Sequence, residues 1–203
     1  MSKSLEDVEL VGGHPAVDFV NTVHNWTSEE APDYLHGFAD FLGWNERVGL
    51  LWPRAVAHFL GRPAAEQADA MREVRSLRES LHAIYAARAA GSRLPQKALD
   101  HLNEAVRRTV NWRCLAADTD NDCRTLCCLW DFRQAPAIAA LGPVAWKAAE
   151  FLELGATDRL KACPADDCGW LFVDTSKNRS RTWCSMKTCG NAAKVRRFRE
   201  RHQ

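Results

Sequence analysis

The sequence predicts an α+β protein: a mainly helical N-terminal domain with a small β-hairpin, residues 1–158, and a small C-terminal module of hairpin plus helix, residues 159–203. Three observations predict it. Apolar residues recur every three to four positions through Met71, Val74, Leu77, Leu81 and Ile84, and again through Leu99, Leu102 and Val106, the period of a helix that buries one face. Cys163, Cys168, Cys184 and Cys189 form two pairs, with four residues inside each pair and fifteen between them. Charge divides at the same place: residues 1–158 carry 16 Lys and Arg against 22 Asp and Glu, whereas residues 159–203 carry 11 against 4. An acidic body joined to a basic module points to a module that meets phosphate or an acidic partner.

The elements follow in chain order. "GGHPAVDFVNTVHNW" places Asp18, Asn21 and Thr22 among apolar residues at helical spacing. Either they line a small-molecule pocket, with His14 or His24 nearby, or they make the hydrogen bonds of a helix start; the second reading is preferred because buried polar groups have structural partners. "DYLHGFADFLGW" puts Leu35, Phe38 and Leu42 on one side of a helix, and Pro53 suits the first turn of the next. The long helix begins after Pro63 and stops near Gly91, and "PQKALDHLNEAVRR" makes another. "NWRCLAA" and "RTLCCLW", separated by the turn-like "DTDND", read as a hairpin. A last helix is expected from about Pro136 to Leu154, ending at Gly155.

The C-terminal cysteines suit a closed metal site. No secretory leader precedes them, so a cytoplasmic setting is expected, disulfides are disfavoured there, and short-spaced pairs point to metal. Redox pairs favour two intervening residues rather than four. "GWLFVD" and "RSRTWC" are expected to be strands joined by "TSKN", returning Cys184 to the first pair, with Asn191 capping a helix just after Cys189. Four thiolates complete tetrahedral Zn2+ and leave no position for substrate, which argues for structure over catalysis. The result is a treble-clef-like module whose 45 residues need the metal to fold, beside a body expected to fold without it. In the helix "GNAAKVRRFRERH", Val195 and Phe198 are expected to dock on the hairpin through Trp170, Phe172 or Trp183. Lys194, Arg196, Arg197, Arg199 and Arg201 then face solvent, with Lys187, Arg179 and Arg181 extending the positive surface.

"WCSMKTCGNAAKVRRFRERH" resembles the end of the CGNR zinc finger family, and "HPAVDFVNTV" at residues 14–23 resembles the opening of the ABATE domain that precedes that finger. The resemblance covers nearly the whole chain. It implies a stress-induced transcription regulator, zinc held by Cys163, Cys168, Cys184 and Cys189, and DNA as partner. One departure stands out: after Cys189, Gly190 and Asn191 the chain has Ala192 where the family name reads arginine, which removes one positive charge and no ligand.

Other classes are narrowed by what the sequence contains. No apolar run approaches the roughly 18 residues a membrane span requires, so no membrane partner is expected. Nucleophile motifs, phosphate loops and an open His-Glu-x-x-His zinc signature do not occur, so an enzyme is not expected. Cys127 and Cys128 are adjacent in a strand, point to opposite faces and read as buried structural residues, with Cys123 in the turn. The eight tryptophans suit core packing. The leading expectation is a DNA-binding regulator whose body senses a ligand or mediates assembly into an oligomer. A zinc-stabilised protein-interaction adaptor is the alternative, and RNA binding is third.

Overall fold

The computed structural model describes residues 4–26, 28, 31–117 and 126–201. Helix α1 (Pro15–Val20) opens with a proline at its first position, and the His14 ring accepts from the Ala16 amide at 3.2 Å. Helices α2 (Phe38–Arg47) and α3 (Pro53–Leu60) follow, and Asp40 caps the start of α2 by accepting from the His36 and Gly37 amides.

The spine is α4 (Ala64–Ala89), whose face of Met71, Val74, Leu77, Leu81, Ile84 and Tyr85 is buried. Gly91, at φ +63°, reverses the chain beyond its C-terminal end in a conformation that side chains with a Cβ resist. Helix α5 (Gln96–Thr109) packs along α4 and buries Ala98, Leu102 and Ala105. The last helix of the body is shorter than expected. A 3-10 turn over Ala137–Leu141 precedes α6 (Gly142–Leu154), and the Trp130 ring lies against Gly142, where any Cβ would meet it at 2.5 Å.

Strands β1 (Arg113–Ala117) and β2 (Leu126–Trp130) form the expected antiparallel hairpin, with Leu115 opposite Cys128 and Ala116 opposite Cys127. Its foot is anchored by the Arg113 guanidinium, 4.1 Å from the Trp146 ring centroid. Further out, neither face is covered: Leu115 is 71% exposed, Cys114 and Cys128 are exposed, and Cys127 is half-buried with its thiol on the Ala116 carbonyl. The expected buried cysteines are therefore corrected, since a two-stranded ribbon supplies no second layer to bury them. Cys123 and the "DTDND" turn lie outside the described residues.

The C-terminal module contributes β3 (Leu160–Ala162), β4 (Leu171–Val173) and α7 (Asn191–Glu200). The hairpin pairs β3 with β4, Leu160 opposite Val173. The expected partner "RSRTWC" is not a strand but an irregular return, because its backbone is held by side chains instead. This hairpin packs on α1 and α4, and Leu160, Leu171 and Val173 belong to the same apolar core as Phe19, Leu81 and Phe151. Among the described residues no helix is long and apolar enough to cross a membrane.

Candidate metal centre

Each cysteine pair is placed by its own backbone turn. Cys163 and Cys168 lie in the turn that joins β3 to β4: the Cys163 amide donates to the Trp170 carbonyl at 2.8 Å and the Cys168 amide to the Ala165 carbonyl at 3.2 Å. Gly169 then passes at φ +65°, where a Cβ would press on the Trp26 amide at 3.1 Å. Cys184 stands just before a wide helical turn, Met186–Gly190, that contains Cys189 and runs directly into α7. At Gly190 a Cβ would meet the Met186 sulfur at 2.7 Å, so a larger residue there would displace the Met186 side chain. Asn191 does not cap the helix as expected. It is the first helical residue, and its side-chain amide donates back to the Lys187 carbonyl at 3.2 Å.

The four Sγ atoms all lie within 4.8 Å of one another, with Cys168–Cys184 at 3.4 Å and Cys184–Cys189 at 3.6 Å. A tetrahedron of about 2.3 Å Zn–S bonds has edges of about 3.8 Å, so the donor set fits Zn2+ in both type and spacing. Cys163, Cys168 and Cys184 are buried together with Val8, Tyr34, Trp170 and Phe172. Hydrogen bonds with Cys168 and Cys184 draw the Cys163 thiol below the usual thiol range, while the hydrogen bond to Cys163 pushes Cys168 up. Thiolates this close repel one another and do not all ionise together, and a dication removes that conflict by favouring the thiolate at all four.

The return from β4 to Cys184 is organised by residues whose role was not apparent in the sequence. Asp174 is fully buried and accepts from the Ser176 amide and hydroxyl, the Arg181 amide and, at 2.6 Å, the Lys161 ammonium. Burial pushes its carboxyl up, yet the bonds from Lys161 and Ser176 outweigh it and hold the group well below the usual carboxylate range. Arg181 stacks 4.4 Å from the Phe172 ring centroid and donates to the carbonyls of Val11, Val173, Trp183 and Cys184. It is a staple between the N-terminal segment and the metal loop, not the surface charge expected; Arg179 pairs with Asp158 at 2.7 Å.

The polar residues of α1 hold the module on the body. Asn21 is fully buried; its side chain accepts from the Leu171 amide at 2.9 Å and donates to the Leu171 carbonyl at 2.8 Å, so it copies a strand neighbour for β4. Thr22 donates to the Phe19 carbonyl and accepts from Arg78, which also grips Asp33 with two nitrogens. Asp18 accepts from the Gly12 amide at 2.7 Å, fixing the segment whose Gly12 carbonyl receives the Val173 amide. The protein itself engages the polar atoms of all three.

Burial pushes the Asp18 carboxyl up to about 6, against the pull of the Gly12 bond and the Arg181 and Arg47 charges. Its folded pKa is raised, so the unfolded chain ionises first as pH rises, and stability falls from about pH 4 to about pH 6. Asp18→Asn keeps an acceptor for Gly12 without the charge. Relative to the wild type it is expected to gain about 1–2 kcal/mol between pH 5 and 7.5. Chemical denaturation of both proteins at those two pH values checks this; parallel pH profiles would contradict it.

Helix α7 is exposed along its length except at Ala193. The expected docking of Val195 and Phe198 on the hairpin does not occur: they are 50% and 63% exposed. The turn leading out of Cys189 fixes which face points inward, and that face carries Ala193. Arg196 pairs with Asp166 of the first knuckle, and the Arg197 Nε lies 3.4 Å from the Ala193 carbonyl. Lys194, Arg199 and Arg201 are exposed, as is Lys187 in the preceding turn. Ala192 borders a cavity of about 410 Å³ shared with Asp7, Glu9, Tyr34, Asp167 and Trp170, space that a longer side chain at 192 would enter.

A four-cysteine cluster closed between a hairpin turn and a helix start defines a zinc finger protein, here one whose finger is seated on a helical body. Residues 159–202 match the CGNR zinc finger, and residues 13–154 match the ABATE domain, described as "putative stress-induced transcription regulator". The chain belongs to the ABATE family, with a CGNR zinc finger that binds Zn2+ at its C-terminal end. No curated protein matches it.

Proposed function

We propose that the chain regulates transcription by binding duplex DNA through α7, with zinc held by Cys163, Cys168, Cys184 and Cys189 and the helical body as the platform that orients the finger. The observation that carries this reading is the exposure of Lys194, Arg199 and Arg201 on a helix whose first turn is set by Cys189. Arg197 and Lys187 add charge at its edges. Arg196 is committed to Asp166, which ties α7 to the first knuckle. Membership in a transcription-regulator family supports DNA over RNA or a purely adaptor role. The excess of carboxylates over cations in residues 1–158 keeps phosphate away from the body and concentrates contact on the finger.

Each phosphate contact releases counterions, so the salt dependence of binding counts them. Full-length protein carrying Lys194→Ala, Arg199→Ala and Arg201→Ala is expected to bind mixed duplex DNA with a log–log salt slope smaller by about 0.9 per lost contact. Fluorescence anisotropy across a salt series measures it. An unchanged slope would remove α7 as the contact, and the same affinity for RNA as for DNA would move the reading to RNA.

A further inference from the structure

The cavity of about 410 Å³ beside Ala192 draws its wall from the N-terminal segment, the body and the finger. Part of that wall is aromatic. Tyr34 and Trp170 are buried with ring centroids 6.4 Å apart, and the His24 ring meets Trp170 edge-on at 5.5 Å. The Trp170 indole N–H is engaged by the Val23 carbonyl at 3.0 Å, so this residue presents carbon surface to the cavity rather than a donor. Asp7, Glu9 and Asp167 also line it, and neither Glu9 nor Asp167 forms an ion pair among the described residues. No lysine or arginine is among the described residues of the lining.

The zinc site adds to the negative charge. Cys168, Cys184 and Cys189 line the cavity and Cys163 does not, so the wall includes one face of the thiolate tetrahedron while the cavity itself lies outside it. Four thiolates on one Zn2+ leave a net charge of about −2. Carboxylates, zinc-bound thiolates and aromatic rings all attract a cation, the rings through their quadrupoles. The chain supplies none: Ala192 stands at the cavity where the CGNR motif reads arginine, and its methyl replaces a guanidinium that could enter from the first turn of α7. We propose that this cavity binds a small organic cation, a guanidinium or primary ammonium compound with an apolar body. The cationic head lies beside Glu9, Asp167 and the thiolates, and the body lies against Tyr34 and Trp170. The volume is that of a small-molecule site, about 300–1,000 Å³, and a bare guanidinium would leave most of it empty. The site is separate from Asp18, Asn21 and Thr22, whose polar atoms the protein itself engages, and it does not depend on DNA binding.

Butylguanidinium and its neutral isostere butylurea are suitable probes. Each is titrated at low salt into full-length, zinc-loaded protein, and NMR follows the Ala192 amide and the Trp170 indole N–H. Butylguanidinium is expected to bind saturably at one site, about tenfold or more tighter than butylurea, the difference that one charge-assisted contact makes. Ala192→Arg changes an exposed helix position and brings a guanidinium to the cavity from the chain itself. It should abolish the binding with zinc content unchanged. Glu9→Gln/Asp167→Asn should weaken butylguanidinium about two- to fivefold per exposed carboxylate and leave butylurea unaffected. Equal affinity for the two probes, or undiminished binding to Ala192→Arg, would overturn the site. Shifts that never saturate would overturn it too, since they mark a diffuse ionic atmosphere. An arginine-containing tetrapeptide that binds where butylguanidinium does not would assign the cavity to a protein side chain and overturn the small-molecule assignment. The titrations contain no DNA, so failure of the DNA reading leaves their outcome unchanged.

Discussion

Deleting residues 159–203 is expected to unfold the helical body rather than release it as a stable domain. Leu160, Leu171 and Val173 are buried in the same core as the residues of α1, α4 and α6, and side chains of this size contribute about 1.5–3 kcal/mol each. Three of them, about 5–9 kcal/mol together, approach the whole stability of an ordinary domain. The deletion also strips Asn21 of both bonds to Leu171 and uncovers the apolar face that β4 packs against. Circular dichroism and thermal unfolding of residues 1–158 check this, and a cooperative transition near that of the full chain would show that the body stands alone, as the sequence had led one to expect. Asn21→Ala provides a milder version in the intact chain. It leaves the Leu171 amide and carbonyl without their partner, at about 1–3 kcal/mol each, and should lower stability with zinc still bound.

Replacing Cys184 with Ser is expected to have the second largest effect. Cys184 is almost fully buried and its sulfur lies within 3.6 Å of those of both Cys168 and Cys189, so it joins the two knuckles. Structural zinc contributes an apparent 10–16 kcal/mol to folding in small modules at neutral pH, and a three-thiolate site loses much of that. Bound zinc should drop well below one per chain, and amide exchange should speed up in β3, β4 and α7. Because the hairpin shares the body's core, exchange in α1 should rise as well. Cys128→Ser, on the exposed ribbon, should keep its zinc. Stoichiometric zinc in Cys184→Ser would contradict the ligand assignment.

Much of this was legible in the residue pattern. The long helix α4 announces itself through a sustained three-to-four-residue apolar period and a glycine stop. The ligand set announces itself through paired spacing, since a knuckle is a local turn and its two cysteines are fixed by a few residues of backbone. Three-residue strands carry no such signal. The partner of Leu171–Val173 is Leu160–Ala162, a segment too short for alternation to show, and it pairs there because the first knuckle brings the two together. Lys161, Asp174 and Arg181 read as surface polar residues in a turn-rich stretch. Only the closed loop reveals that Asp174 is fully buried and satisfied by both the others.

By itself, the sequence determined the helical body, the hairpin of the ribbon, the four-cysteine site and the basic character of the last helix, because each depends on spacing or composition over a short stretch of chain. Tertiary structure alone decided which face of that helix points outward. Amphipathic spacing would turn Val195 and Phe198 inward, but the direction of α7 is set by the turn that leaves Cys189, and covalent continuity with a metal-held knuckle outweighs the burial of two side chains. It also decided that finger and body share one core. Asn21 meets Leu171 across 150 positions of chain, and a contact at that separation comes from the packing of α1 and α4 against β4, which no local pattern encodes.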